Sequence, residues 1–262
     1  MNVCPKRAVI LAAGVGRRLR PLTYDQPKGL VDVQGKALLH HQLQALVAAG
    51  VEDVVIVTGY RQAQLREAVE CWRLPFHCVE WVVNEDYATT NTLVSVSLAA
   101  PYVLGHPFVL INGDVWLSPR ALDAFSALPQ TYDTMQSFLV VDATVTLDEE
   151  AMKVRLGPTG NIVSISKTMP VLGAYGESIG VYLFGAASGC AFLEQVQRLN
   201  SQPHLFYEAA LAMALDAGLV MRPLHIDACT WAEVDDASDL QRARQYATAT
   251  VRAQVDPMFK EL

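Results

Sequence analysis

Arg7-Ala8-Val9-Ile10-Leu11-Ala12-Ala13-Gly14-Val15-Gly16-Arg17-Arg18-Leu19-Arg20-Pro21-Leu22-Thr23 sets the frame for the rest of the chain. Ala8 to Ala13 is a continuous apolar run, and the residues beyond it turn abruptly to glycine, arginine and proline. Such a run bounded by turn residues predicts a strand, Arg7–Leu11, buried on both faces. Gly14 and Gly16 let backbone N–H groups approach an anion, and the neighbouring arginines add positive charge. A Rossmann dinucleotide loop fails at its third glycine, where Leu19 stands, and Pro21 is too close for a clean helix start. A Walker loop fails because no Gly-Lys-Ser/Thr follows.

Outward from this loop, apolar strands alternate with helix-period segments. Strands are predicted at Asp53–Thr58, Phe76–Val83, Phe108–Ile111 and Thr134–Val141. Helices are predicted at Ala37–Ala49 (ended by Gly50), Gln62–Cys71, Thr92–Ala100 (stopped by Pro101) and Pro119–Leu128. This order implies an α/β fold, a parallel sheet covered on both faces. The pattern then changes. Met152–Leu156 and Asn161–Ser166 flank Gly157-Pro158-Thr159-Gly160 and read as an inserted hairpin. A strand at Ser178–Phe184, helices at Ala186–Leu199 and Phe206–Ala217 and a strand at Val220–Ile226 follow, then a helix from near Asp236. The expected organisation is one domain over 1–262: a first half over about 1–141, a second half with the inserted hairpin over about 142–245 (which the resemblance described below makes the nucleotide-binding and acceptor-binding halves) and a C-terminal helix over about 246–262.

The 262 residues, 52% apolar, can bury a core without disulfides or a structural metal. A net charge of −7 argues against nucleic acid and acidic membranes as partners, without forbidding a small anion in a local basic pocket. No apolar run reaches about 18 residues, so no membrane span is expected. The first apolar run is too short for a signal-peptide core, and the odd count of five cysteines lacks metal-knuckle spacing. The expectation is a cytoplasmic protein with reduced cysteines. The six histidines show no ligand spacing.

In open α/β sheets ligands bind at the C-terminal ends of the strands. Residues 12–20, Gly59-Tyr60, residues 84–91 and Asn112-Gly113-Asp114 should therefore surround one crevice. Asp114 closes a buried strand and is placed to hold Mg²⁺, which takes one or two carboxylates plus phosphate oxygens.

Leu11-Ala12-Ala13-Gly14-x-Gly16-x-Arg18-Leu19-x-Pro21-Leu22-Thr23, then Pro27-Lys28, then Val33-x-Gly35-Lys36, resembles the signature of the sugar-nucleotidyltransferase superfamily. Those enzymes couple a nucleoside triphosphate to a phosphorylated small molecule and release pyrophosphate. The resemblance implies a Rossmann-like, mostly parallel mixed sheet flanked by helices, the nucleotide-diphospho-sugar transferase fold, with a small β-hairpin acceptor-binding insertion. It implies that Arg18 and Lys28 contact the triphosphate, and Leu11, Ala12, Ala13, Gly14 and Gly16 form the nucleotide loop. It places the second Mg²⁺ ligand at Asp235 of Trp231-Ala232-Glu233-Val234-Asp235, with Glu233 orienting and Asp236 capping the last helix.

Two further segments are similar to the phosphocholine, 2-aminoethylphosphonate and inositol-phosphate cytidylyltransferases. Tyr87-x-x-Thr90-Asn91-x-x-x-Ser95 matches their Tyr-x-x-Thr-Asn-x-x-x-Ser pattern. It makes Thr90, Asn91 and Ser95 candidates for nucleotide or acceptor contact, although Asn91 and Thr92 could simply cap a helix. Asn91, with backbone groups of Ala12 and Gly59, could read a pyrimidine edge. Residues 151–180 look like the acceptor-binding half, so Lys153 or Lys167 would hold the acceptor phosphate or phosphonate and Glu177 a cationic or hydroxyl group. Trp116, Tyr182, Tyr207 and Trp231 are candidates for an aromatic cage around a choline, with Glu177 and Glu208 as acids. The implied activity is Mg²⁺-dependent transfer from CTP to a small phosphorylated or phosphonate acceptor. A sugar-1-phosphate uridylyl- or thymidylyltransferase is the alternative, and a non-catalytic nucleotide-binding regulatory subunit a remote one. The oligomeric state stays open, a homo-oligomer included.

Overall fold

The computed structural model describes residues 5–123, 125, 128 and 135–259, with side chains to residue 252. In chain order the strands are β1 (Arg7–Ala12), β2 (Asp32–Val33), β3 (Lys36–Ala37), β4 (Asp53–Thr58), β5 (Cys78–Val83), β6 (Phe108–Asn112) and β7 (Val115–Leu117). They continue with β8 (Ser137–Asp142), β9 (Lys153–Leu156), β10 (Ile162–Ser166), β11 (Gly176–Phe184), β12 (Met221–His225) and β13 (Trp231–Glu233). The α-helices are α1 (Leu38–Ala49), α2 (Gln62–Trp72), α3 (Thr92–Val103), α4 (Ala186–Arg198), α5 (Glu208–Asp216) and α6 (Ala237–Phe259).

A nine-stranded mixed sheet carries the fold, in the order β10-β9-β11-β6-β1-β4-β5, with β8 joined to β11 and β12 to β8. β1 lies parallel between β4 and β6, with Ile10 opposite Ile56 on one side and Ile111 on the other. That register brings the C-terminal ends of all three strands to one edge. Alternation along β1 sends Ala8 and Ile10 into a core with Leu39, Leu43 and Leu46 of α1 and Leu65 of α2. Val9 and Leu11 enter a second core with Leu93 and Val96 of α3 and Phe192 of α4. Both faces of the sheet are thus covered, as unbroken apolar strands require.

In α1 the apolar residues Leu39, Leu43 and Leu46 fall on one stripe. Gly50 ends the helix in the left-handed region (φ 87°), its N–H bonding the carbonyls of Leu46 and Val47. Leu43 is wholly buried. Leu43→Ala should lower unfolding stability by about 2–5 kcal/mol through lost contacts and a residual cavity, read as a shifted urea midpoint.

Two helix ends differ from expectation. α3 runs through Pro101 to Val103. A proline this close to a C-terminus removes one backbone bond. The buried Val103 and the Leu104 N–H to Ala100 carbonyl bond (3.0 Å) keep the last turn closed. The polar C-terminal segment is not a separate helix but the continuation of α6, whose first turn is capped by Asp236 accepting from the N–H groups of Ser238 and Asp239. The helix expected at Pro119–Leu128 and the start of the strand expected at Thr134 fall partly outside the described residues, as does Cys4. Cys71, Cys78, Cys190 and Cys229 are free thiols. No described helix is long and apolar enough to cross a membrane.

Candidate active site

The loop after β1 folds over its own end. Gly16 adopts φ 64° ahead of a 3-10 turn at Arg17–Leu19, and the Thr23 hydroxyl donates to its carbonyl (2.8 Å). A Cβ on Gly16 would stand 3.1 Å from the Lys28 side chain, whereas one on Gly14 would meet nothing, so the Gly14 backbone borders open space. Leu19, in place of a third glycine, is buried with Val31, Val33 and Leu38 and anchors the loop.

The opposite wall comes from the turn after β6. A Cβ on Gly113 would lie 2.2 Å from the Leu11 carbonyl oxygen, so only glycine lets this turn press against the end of β1. The turn places Asp114 beside the loop. β13 runs antiparallel to β7, with Glu233 opposite Val115, and the Val234 N–H donates to the Asp114 carbonyl (2.8 Å). Asp114, Glu233 and Asp235 are thereby gathered from segments about 120 residues apart in the chain. Their carboxylate oxygens lie within 4.8 Å of one another.

Lys28 faces this group. Its ammonium is 3.3 Å from Asp114 Oδ2 and hydrogen-bonds Asp235, which also takes the Arg18 guanidinium. Burial alone would lower the Lys28 pKa, but Asp114 and Asp235 raise it above its ordinary value. For Asp235 burial pulls upward, and Lys28 and Arg18 hold the carboxyl below its ordinary range. Glu233 has the opposite fate. Burial, then Asp114 and Asp235, push it up to about 8.

A cleft of about 400 Å³ opens from these groups. Its wall includes Leu11, Ala12, Gly14, Gly16 and Arg18 of the first loop, Lys28, Asn91, Asp114, Lys167, Glu177 and Asp235. Lys167 sits 4.0 Å from Glu150. Glu177 is pushed up to about 7, first by burial, then by Asp148 and Asp142.

Other expected residues lie elsewhere. Lys153 is 1% exposed and donates to the carbonyls of Asp148 (2.9 Å), Glu149 (3.1 Å) and Ala151 (3.0 Å). The preceding loop folds over it, so it is a strut rather than an acceptor ligand. Lys153→Met should lower stability by about 1–3 kcal/mol in denaturant unfolding, because three buried carbonyls lose their donor. CTP affinity should not change. Ser95 is buried and accepts from Asn84 Nδ2 (3.3 Å), and Thr90 accepts from the same amide (3.0 Å). These two brace the segment below the cleft. Asn91 both caps α3, accepting from Thr92 N–H (3.0 Å), and lines the cleft. Gly59 is packed under Tyr87, whose ring would lie 2.7 Å from an added Cβ, so its backbone is shielded. The Ala13 carbonyl is taken by the Tyr60 N–H (3.1 Å).

The aromatic cage is not assembled. Trp116 and Tyr207 are core residues, while Tyr182 and Trp231 only border the cleft from beneath. Trp231 donates its indole N–H to Asp142 (2.9 Å). The cleft also contains Phe206, which was not singled out as a contact, and Glu208, expected as an acid of the cage, which opens α5.

The raised acids predict a pH dependence. Glu177 and Glu208 are pushed up to about 7 and Glu233 to about 8, against an ordinary 4.5. These acids make the folded chain bind more protons than the unfolded one between pH 5 and 8; His40 and His41, held below their ordinary 6.5 first by burial, oppose this at the acid end, so stability falls with rising pH most clearly from about pH 6.5 to 8. Thermal melts without ligand should show Tm declining from pH 6.5 to 8; a flat or rising Tm in that range would contradict the burial of these carboxyls.

Residues 8–152 match the MobA-like NTP transferase domain. The CMP-5'-(3-aminopropyl)phosphonate synthase of Streptomyces rubellomurinus is 31% identical over 253 residues, covering 92% of this chain and 39% of that protein. The chain thus spans well under half the length of this relative. The N-acetylmuramate alpha-1-phosphate uridylyltransferase of Caulobacter vibrioides is 57% identical over 60 residues, 23% of this chain and 25% of that one. Among solved structures, the inositol-1-phosphate CTP transferase from T. maritima superposes with a TM-score of 0.78 at 24% identity, covering 94% of this chain and 98% of the other. That likeness concerns the fold.

Proposed function

From a chain that belongs to the MobA-like NTP transferase family, we propose a cytidylyltransferase that joins CTP to a small phosphate or phosphonate acceptor of the phosphocholine or 2-aminoethylphosphonate type. The observation that carries this reading is the meeting of Lys28 and Arg18 with Asp114 and Asp235 at the mouth of the glycine loop. Cations and carboxylates so paired suit a polyphosphate and the divalent ion that accompanies it.

The donor set of Asp114, Glu233 and Asp235 fits a hard cation that prefers oxygen ligands. Asp114 and Asp235 would hold Mg²⁺, with Glu233 beside them. When bound, that ion supplies charge neutralisation to the triphosphate. The chain's own residues do the rest. Backbone N–H groups around Gly14 and Gly16 cradle the phosphates. Lys28 and Arg18 turn from Asp235 to the phosphate oxygens and stabilise the charge that grows in the transition state. Lys167 orients the acceptor's anionic head. One oxygen of that head attacks the α-phosphorus in line, a new P–O bond forms, and the bond to the β-phosphate oxygen breaks to release pyrophosphate. The attacking oxygen is already anionic near neutral pH, so positioning and charge neutralisation suffice.

The extent of likeness favours the cytidylyl reading. Similarity to the aminopropylphosphonate enzyme runs over 92% of the chain, whereas that to the uridylyltransferase occupies 60 residues. The latter keeps a sugar-1-phosphate uridylyl- or thymidylyltransferase as second reading. A pyrophosphate-release screen of CTP, UTP and dTTP against 2-aminoethylphosphonate, phosphocholine, inositol phosphate and hexose 1-phosphates decides between them. Release with CTP and a phosphonate or phosphocholine is expected; release only with UTP or dTTP and a hexose phosphate would overturn it.

A further inference from the structure

Two buried side chains at the foot of the cleft, Trp231 and Asp142, have no part in the steps above. Trp231 opens β13, two residues before Glu233 and four before Asp235. β13 lies outside the nine-stranded sheet, in a two-stranded ladder with β7 of three residue pairs. A ribbon that short has too few bonds to fix its own position. Something further must hold the strand that leads to the carboxylates. Side chains alternate along a strand, so Trp231 and Glu233 leave β13 on the same face. The direction in which the Trp231 ring is held is thus the direction in which Glu233 points.

The ring is held twice. It is buried in the core that contains Ile179 and Val181 of β11 and Phe138 and Val140 of β8. Its indole N–H donates to Asp142 Oδ2 across a buried 2.9 Å bond. Asp142 ends β8, is 4% exposed, and has both carboxylate oxygens engaged. Oδ1 accepts from the Thr144 N–H (2.8 Å), the Thr144 hydroxyl (2.7 Å) and the Val145 N–H (3.2 Å). The backbone at this point is also fixed. A Cβ on Gly176 would stand 2.6 Å from the Asp142 carbonyl oxygen, so β8 and β11 press together there. Burial alone would raise the Asp142 pKa, but the hydrogen bonds from Thr144, Trp231 and Val145 hold it below its ordinary value. A charge-assisted hydrogen bond to such a carboxylate fixes direction as well as distance, which packing alone does not.

Resting on the reading of Asp114, Glu233 and Asp235 as the donors for the cation, we infer that Asp142 is a positioning residue for that centre, acting through the Trp231 indole. The bond sets β13 against the main sheet. The Val234 N–H to Asp114 carbonyl bond (2.8 Å) carries that setting to the third carboxylate. Beyond β13 the Asp235 N–H is held by Asp239 Oδ2 (3.0 Å). Asp142 thus fixes the near end of the segment and Asp239 the far end, with Glu233 and Asp235 between them. A polar pair that merely fills the core would affect stability and leave the cation's affinity alone, and that difference is measurable.

The readout is Mn²⁺ affinity for the CTP complex, measured by calorimetry with no acceptor present. Asp142→Asn keeps the shape but has one acceptor oxygen where two are engaged, so it cannot satisfy the indole and the N–H groups of Thr144 and Val145 together. Trp231→Phe keeps an apolar ring and deletes the donor. Each should weaken Mn²⁺ binding by about 10-fold, the low end of what groups outside a metal's own ligands carry. CTP affinity in the absence of metal should be unchanged. The double variant should bind Mn²⁺ no more weakly than either single one, because both remove the same bond. Lys153→Met, which also loses buried hydrogen bonds, is the control and should bind Mn²⁺ like the wild type. Wild-type Mn²⁺ affinity in folded Asp142→Asn and Trp231→Phe chains would overturn the assignment. So would additive losses in the double variant or an equal loss in Lys153→Met, since either traces the effect to general destabilisation. If the wild-type CTP complex binds no Mn²⁺, the reading of the three carboxylates as cation ligands itself fails, and the assignment falls with it.

Discussion

Replacing Lys28 by alanine should reduce kcat/KM for pyrophosphate release by about 10²–10³-fold, the loss typical of one preorganised charge donor at a transition state. The Lys28 side chain is held in place by its surroundings. It follows Pro27, and its neighbour Gly29 packs so closely on Leu39 and Leu65 that an added Cβ would come within 3.2 Å of the Leu65 side chain. Its side chain is 13% exposed, so little solvent reorganisation accompanies the shift from carboxylate to phosphate. Removing it also leaves Asp114, Glu233 and Asp235 without their central cation. In the free protein the pKa of Asp235 should rise and Tm near neutral pH should fall, and added Mg²⁺ should recover part of that Tm. Wild-type rates from a folded Lys28→Ala chain would remove Lys28 from the reaction.

Asp235→Asn should act through the ion rather than through the phosphates. The substitution keeps the size and the Asp239-bonded backbone of Asp235, whose N–H donates to Asp239 Oδ2 (3.0 Å), but deletes the charge. Calorimetry with CTP should show Mn²⁺ or Mg²⁺ affinity lowered by at least about 10–100-fold, since even partners one step removed from a metal carry that much. The rate at subsaturating metal should fall with it and recover partly at high metal. Arg18, 64% exposed on its side chain, would lose its anchor, so ordering of the first loop should weaken as well. Unchanged metal affinity would exclude Asp235 as a ligand.

Local features carried most of the fold. Unbroken apolar strands, Gly50 at the end of α1 and the Gly157–Gly160 turn each dictate their structure through nearby residues, and β1, β4, β6 and the β9–β10 hairpin follow. Asp114 was legible for the same reason, because a residue closing a buried strand stands at the sheet edge where ligands bind. What escaped depends on distant pairing. The β7–β13 ladder that sets Glu233 beside Asp114 joins residues more than a hundred positions apart and leaves no periodicity in either strand. Lys153 alternates like an exposed strand residue, and only the loop at residues 148–151 closing over it makes it a buried strut. Gly59 lost its open backbone to Tyr87, a contact between two loops. Phe206, beside Glu208 on the cleft wall, gave no signal of its own in the sequence, since a lone aromatic residue before a helix reads as packing.

The most direct measurement follows the α-phosphate. With CTP radiolabelled at that phosphate, Mg²⁺ and 2-aminoethylphosphonate, the label should leave CTP and appear in a CMP–phosphonate conjugate, with one unlabelled pyrophosphate released per conjugate. Label that stays in CTP, or appears as free CMP whether or not the acceptor is present, would contradict cytidylyl transfer to such an acceptor in the cleft of Lys28, Asp114 and Asp235.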